Sequence, residues 1–96
     1  MYLIRTTPIF DDWFSRLKDY HCRARLIARL HRAARGNLGD HKAVGGGVSE
    51  MRIDCGPGYR VYYTIRDRQL LLLLVGGDKS SQSKDIQLAY ALAASM

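Results

Sequence analysis

Between Val48 and Val75 three strand-like runs follow one another, Val48–Asp54, Tyr59–Arg66 and Leu70–Val75, joined by turns too short to hold a helix. Tight connections require antiparallel neighbours, because a parallel pairing needs a long crossover. Gly56-Pro57-Gly58 supplies the first turn: proline presets one φ, and the glycines accept the positive φ that side chains resist. An antiparallel meander is thus written into the second half of the chain, and everything else must pack on it.

Alternation sorts the side chains of these runs into two faces. Tyr59, Val61, Tyr63 and Ile65 share one face with Met51, Ile53 and Cys55; Arg60, Tyr62, Thr64 and Arg66 share the other with Glu50, Arg52 and Asp54. The first set predicts a buried face under helices, the second a wet one. Arginine beside tyrosine and threonine suits a phosphate-and-base ligand, since the guanidinium fork matches phosphate oxygens and a phenol ring offers a stacking plane. Alternation alone fits an ordinary solvated face with cross-strand ion pairs better.

The other elements flank this meander. Tyr2–Arg5 reads as a strand, and Thr6-Thr7-Pro8 as a helix start whose stripe is Phe10, Trp13, Phe14 and Leu17. After a break at Asp19-Tyr20-His21, a second helix runs to about Arg35. Cys22, Leu26, Ile27, Leu30, Ala33 and Ala34 form its buried arc, with Arg25, Arg29 and Arg32 as a stripe beside it. Asn37–Gly47 reads as a loop, so His41 and Lys42 fall in it. A last helix over about Gln82–Ala94 places Ile86, Ala89, Tyr90 and Ala93 on one face. The predicted fold is α+β, in the order β-α-α-β-β-β-α, a single domain over residues 1–96 with its helices on one side of an antiparallel-rich sheet.

Charge and composition bear on partners. Fifteen Lys and Arg oppose nine Asp and Glu, a net +6, which favours a polyanion or an acidic protein. Cys22 and Cys55 are far apart and form no CxxC pair, which predicts two reduced thiols in a cytoplasmic protein. The N-terminus does not read as a signal peptide, and Leu70–Val75, the longest apolar run, is too short to span a bilayer, so no membrane partner is expected.

Several chemistries are excluded. His21, His31 and His41 lack metal-ligand spacing, the carboxylates are too scattered for a two-metal centre, and no serine occupies a nucleophile elbow. The Gly76-Gly77-Asp78-Lys79-Ser80-Ser81 stretch is not a Walker loop, because Asp78 separates glycine from lysine. No cofactor is expected. What remains is a concentration of Arg, Lys and Tyr around the strands, suited to electrostatic work on phosphates.

GPGYRVYY over residues 56–63, together with GGDKSSQ over residues 76–82 and Lys84-Asp85-Ile86, resembles the HigB-like, "addiction module killer" branch of the RelE/ParE toxin superfamily. Thr7-Pro8 with Phe10 and Trp13, and Gly36-Asn37-Leu38-Gly39-Asp40 before Lys42, extend the likeness over nearly the whole chain. The resemblance implies the toxin of a type II toxin–antitoxin module, an endoribonuclease (mRNA interferase) acting on mRNA at the ribosome. It also implies a cognate antitoxin partner, with operator DNA bound only through the toxin–antitoxin complex. Carried over residue by residue, it makes Arg60, Lys79 and Arg52 the catalytic set. Lys42, Tyr62, Glu50, Lys84 and Asp85 are the further expected RNA contacts, and the density of the Arg25, Arg29 and Arg32 stripe on its own account suits RNA, DNA or an acidic partner. Two other functions share these features: a ParE-like inhibitor of DNA gyrase, and a non-catalytic nucleic-acid-binding module.

Overall fold

The computed structural model describes residues 1–96. Its sheet is built as expected around the meander, here β3 (Val48–Ile53), β4 (Tyr59–Arg66) and β5 (Leu70–Gly77), each antiparallel to the next. The N-terminal strand β1 (Leu3–Thr6) lies parallel to β5 at one edge, and α1 (Pro8–Ser15) and α2 (Tyr20–Ala34) carry the chain from it to the opposite edge of the sheet. The Thr7 hydroxyl accepts from Phe10 N at 3.1 Å to cap α1, and itself donates to Leu74 O at 2.6 Å, tying the helix start to β5. Asp19, at the expected break, caps α2 by accepting from Cys22 N.

The region expected to be a loop contains a further strand, β2 (His41–Gly45), which pairs antiparallel with β3 and gives the order β1-β5-β4-β3-β2. Gly45, Gly46 and Gly47 all take positive φ and close this hairpin. They also admit Tyr90 of α3 (Gln82–Ser95): its ring covers Gly46 and its hydroxyl donates to Val44 O. An edge strand with almost every residue exposed carries no apolar alternation, so its sequence reads as loop.

Helices cover both faces of the sheet, not one as expected. Phe10 and Leu26 pack from α1 and α2 on Met51, Ile53, Val61, Tyr63, Leu71 and Leu73. On the other face, Ala89 of α3 packs with Val48, Tyr62, Leu72, Leu74 and Val75. The side expected to be wet is therefore dry over much of its area: Tyr62 and Glu50 are fully buried and Thr64 nearly so. The five leucines of β5 are the physical reason, since a strand apolar at every position needs cover on both sides.

An irregularity in the β4–β5 ladder sets where β5 ends. Tyr62 pairs with Val75 and Tyr63 with Leu73, so Leu74 is an extra residue. The alternation shifts there. Gly76 then meets the Trp13 ring of α1, and Gly77 meets the Asp85 carboxylate of α3.

Cys22 and Cys55 are joined in a disulfide, contrary to the expected free thiols. The turn after β3 folds onto the first turn of α2 and brings the two Cα atoms to 5.7 Å. Thirty-three residues of separation hid this proximity.

Candidate active site

Register across the sheet places Arg52 opposite Arg60, and Arg60 opposite Gly77. Glu50 and Tyr62 form the adjoining row, with Lys42 opposite Glu50 on β2. The α3 helix covers the Tyr62 row, while the two arginines remain at the uncovered end of the strands. They line a cavity of about 270 Å³ with Asp40, Ile53, Asp54 and Gly58.

Each arginine has a carboxylate beside it. Arg52 donates from one terminal nitrogen to Asp40 Oδ1 at 2.9 Å, a pair open to solvent. Arg60 Nε stands 3.6 Å from Glu50 Oε1; the arginine side chain is 13% exposed and the glutamate wholly buried. Arg60 Nε and Arg52 Nε have no acceptor of their own, so these arginines are only partly satisfied by the protein. Glu50 is held in turn by Gln82, whose side-chain amide donates to both of its oxygens at 3.2 Å.

Lys79 is exposed on the 3-10 turn Lys79–Ser81. It is not part of the cavity lining, but its Cβ backs onto Gly58, which is. The turn is firm: Asp78 Oδ1 accepts from Ser80 N at 2.8 Å and from Ser80 Oγ at 2.5 Å. Those bonds, the hydroxyl's first, hold the Asp78 carboxyl below its usual range. Asp85 is buried, accepts from Ser81 Oγ at 2.5 Å, and stands against Gly77 rather than in the cavity.

The other expected RNA contacts are dispersed. Lys42 is exposed on β2 and Lys84 on α3. Arg25 and Arg32 are exposed on α2, in the layer on the opposite face of the sheet. Arg29, between them, is a brace: it donates to Arg52 O at 2.6 Å and to Leu38 O and Asp40 O at 3.2 Å each. Burial first, then the neighbouring Arg32 charge, lowers its pKa. Tyr62 and Glu50 do not present themselves to a ligand as expected, because α3 and Gln82 lie over them. Burial first, then the Glu50 and Asp85 carboxylates, pushes the Tyr62 phenol up to about 12.

Asp40, Asp54, Gly58 and Gln82 are the site residues that sequence reasoning missed. Asp40 becomes visible only once β2 is known to pair beside Arg52, and Gln82 only once α3 is known to cross Glu50. Gly58 reads from the sequence as a turn residue and a member of the GPGYRVYY stretch, and neither reading points to a cavity lining.

No family model matches the chain. A protein of Haemophilus influenzae, described only as uncharacterized, is 50% identical over 90 residues, spanning 94% of this chain and 91% of that one. The chain belongs to that protein's family. Among solved structures, a chain of the intact RelBE toxin–antitoxin complex of Escherichia coli matches with a TM-score of 0.68 at 16% identity, over 81% of this chain and 96% of its own. The fold is RelE-like. In that fold the cavity with Arg52 and Arg60 lies at the end of the central strands, beside the 3-10 turn that carries Lys79. A larger cavity of about 540 Å³ lies at the β1 edge, but its Arg66 is already bonded to the carbonyls of Ala93 and Met96.

Proposed function

We propose that this protein is the toxin of a toxin–antitoxin module of the HigB-like kind, and that it cleaves mRNA on the translating ribosome. The observation that carries the reading is the pairing of Arg52 and Arg60 across β3 and β4, both lining one cavity with incompletely satisfied guanidinium groups. The RelE-like fold supports it, as does the GPGYR and GGDKSSQ resemblance.

In this reading the ribose 2′-oxygen bonds to the adjacent phosphorus and the P–O5′ bond breaks. The products are a 2′,3′-cyclic phosphate and a 5′-hydroxyl end. Arg60 and Arg52 stabilise the charge that grows on the phosphorane oxygens, Arg52 exchanging its Asp40 partner for phosphate. Removing one such preorganised donor typically costs about 10²–10³ in rate. Arginine stays protonated near neutrality, so proton delivery to O5′ falls to the Lys79 ammonium. The 2′-proton passes to water.

The cognate antitoxin is the proposed protein partner, and operator DNA is contacted through that complex. Primer extension on a translated message tests the reading: Arg60→Ala abolishes the cuts made by the wild-type protein. Cutting by Arg60→Ala at the wild-type rate refutes it, and inhibition of purified gyrase in a supercoiling assay would replace it.

A further inference from the structure

Gln82 reaches from the first turn of α3 toward the sheet, and its amide nitrogen donates to both oxygens of a carboxylate that solvent never meets, one N–H shared between them. A buried carboxylate is expensive unless donors surround it. Glu50 has only this one shared donor and the Arg60 charge at 3.6 Å. The Glu50 oxygens are therefore placed from one side by Gln82, and Arg60 is placed by them from the other. The Tyr62 phenol also lies near this carboxylate without hydrogen-bonding it, and Asp85 acts on the same phenol. Lys42 lies opposite on β2, exposed.

The same five residues, 78 to 82, carry Lys79 outward and Gln82 inward. Fixing Gln82 on β3 therefore fixes the turn that presents Lys79 beside Gly58. We propose that Gln82 is a positioning residue: through the buried Glu50 carboxylate it aims Arg60 into the cavity and keeps the Lys79 turn in register with it. This rests on the nuclease reading above for its catalytic consequence, though not for its geometry. A displacement of one ångström in such a constellation costs about 10² in rate.

Two variants and two readouts test the proposal. Gln82→Leu removes this donor at similar volume. The exchange Glu50→Gln with Gln82→Glu keeps an amide–carboxylate hydrogen bond but moves the charge away from Arg60, and it serves where Gln82→Leu does not fold. The Arg60 Nε–H resonance, which needs no substrate, is expected to shift in each folded variant. Single-turnover cleavage of ribosome-bound mRNA is expected to fall about 10²-fold while mRNA affinity stays within about twofold. An unmoved Arg60 resonance in either folded variant, or full cleavage by the exchanged pair, overturns the proposal. A shifted resonance in a protein whose wild type cuts no mRNA upholds the positioning and refutes only the nuclease reading.

Discussion

Trp13 lies directly against Gly76, so close that a Cβ on that glycine would come within 2.1 Å of an indole carbon. Gly76 does not take positive φ, so the constraint is purely one of space. Gly76→Ala is expected to destabilise the fold by about 1–3 kcal/mol through overpacking, measured by urea denaturation. In a Trp13→Ala background the same change should cost much less, and an equal cost in both backgrounds would refute the contact.

The pair Gly76-Gly77 illustrates how far the sequence carried. Alternation, Gly-Pro-Gly and the Thr7-Pro8 start located β3, β4, β5 and α1 within a residue or two, because each is encoded by neighbours along the chain. That Arg52 and Arg60 share a face was legible for the same reason, through alternation; their direct pairing depends on the register between β3 and β4, which alternation leaves open. What could not be read depended on partners distant in sequence. β2 has no apolar pattern because it is an exposed edge, and the cover of α3 over Tyr62 is invisible in a strand whose outer face reads Arg, Tyr, Thr, Arg. The disulfide and the Glu50–Gln82 bond span 33 and 32 residues respectively. No local periodicity reports either.

The disulfide staples the turn that borders the arginine cavity to the start of α2. For a closed loop of this length, chain entropy predicts about 3–4 kcal/mol of stability. Dithiothreitol, or Cys22→Ser with Cys55→Ser, should lower the denaturation midpoint accordingly. A midpoint indifferent to reductant would show that the bridge contributes nothing.

Three arginines on α2 should behave differently despite their common spacing. Arg29→Ala strips donors from three carbonyls and is expected to cost about 1–3 kcal/mol. Arg25→Ala and Arg32→Ala, exposed, should stay within about 0.5 kcal/mol. Thermal denaturation of the three single variants separates the brace from the surface charges.

Tyr62 predicts an alkaline limb. Its phenol is raised from 10.0 to about 12, so the unfolded chain loses this proton first. Stability from this group is complete below pH 10 and declines as pH rises through 12, by up to about 1.4 kcal/mol per pH unit. Tyr63 is raised too, chiefly by burial, and adds in the same direction. Tyr62→Phe should flatten the limb. It should cost little at pH 7, because the buried hydroxyl has no partner to lose.

Asp40 competes with any phosphate for Arg52. Its carboxylate holds the guanidinium at 2.9 Å on the rim of the cavity, and both side chains are open to water. An exposed pair of this kind contributes about 0–1 kcal/mol, so Asp40→Asn should leave stability almost unchanged. It removes one negative charge from the lining and releases the cation opposite Arg60. If RNA phosphate enters this cavity, Asp40→Asn tightens binding of a short single-stranded RNA and steepens its salt dependence, by up to about 0.7 in log–log slope for one added phosphate contact. Arg52→Ala should weaken binding and flatten that slope. Measured across a salt titration, the two variants must move in opposite directions, and a common direction or no change would place the phosphate elsewhere on the protein.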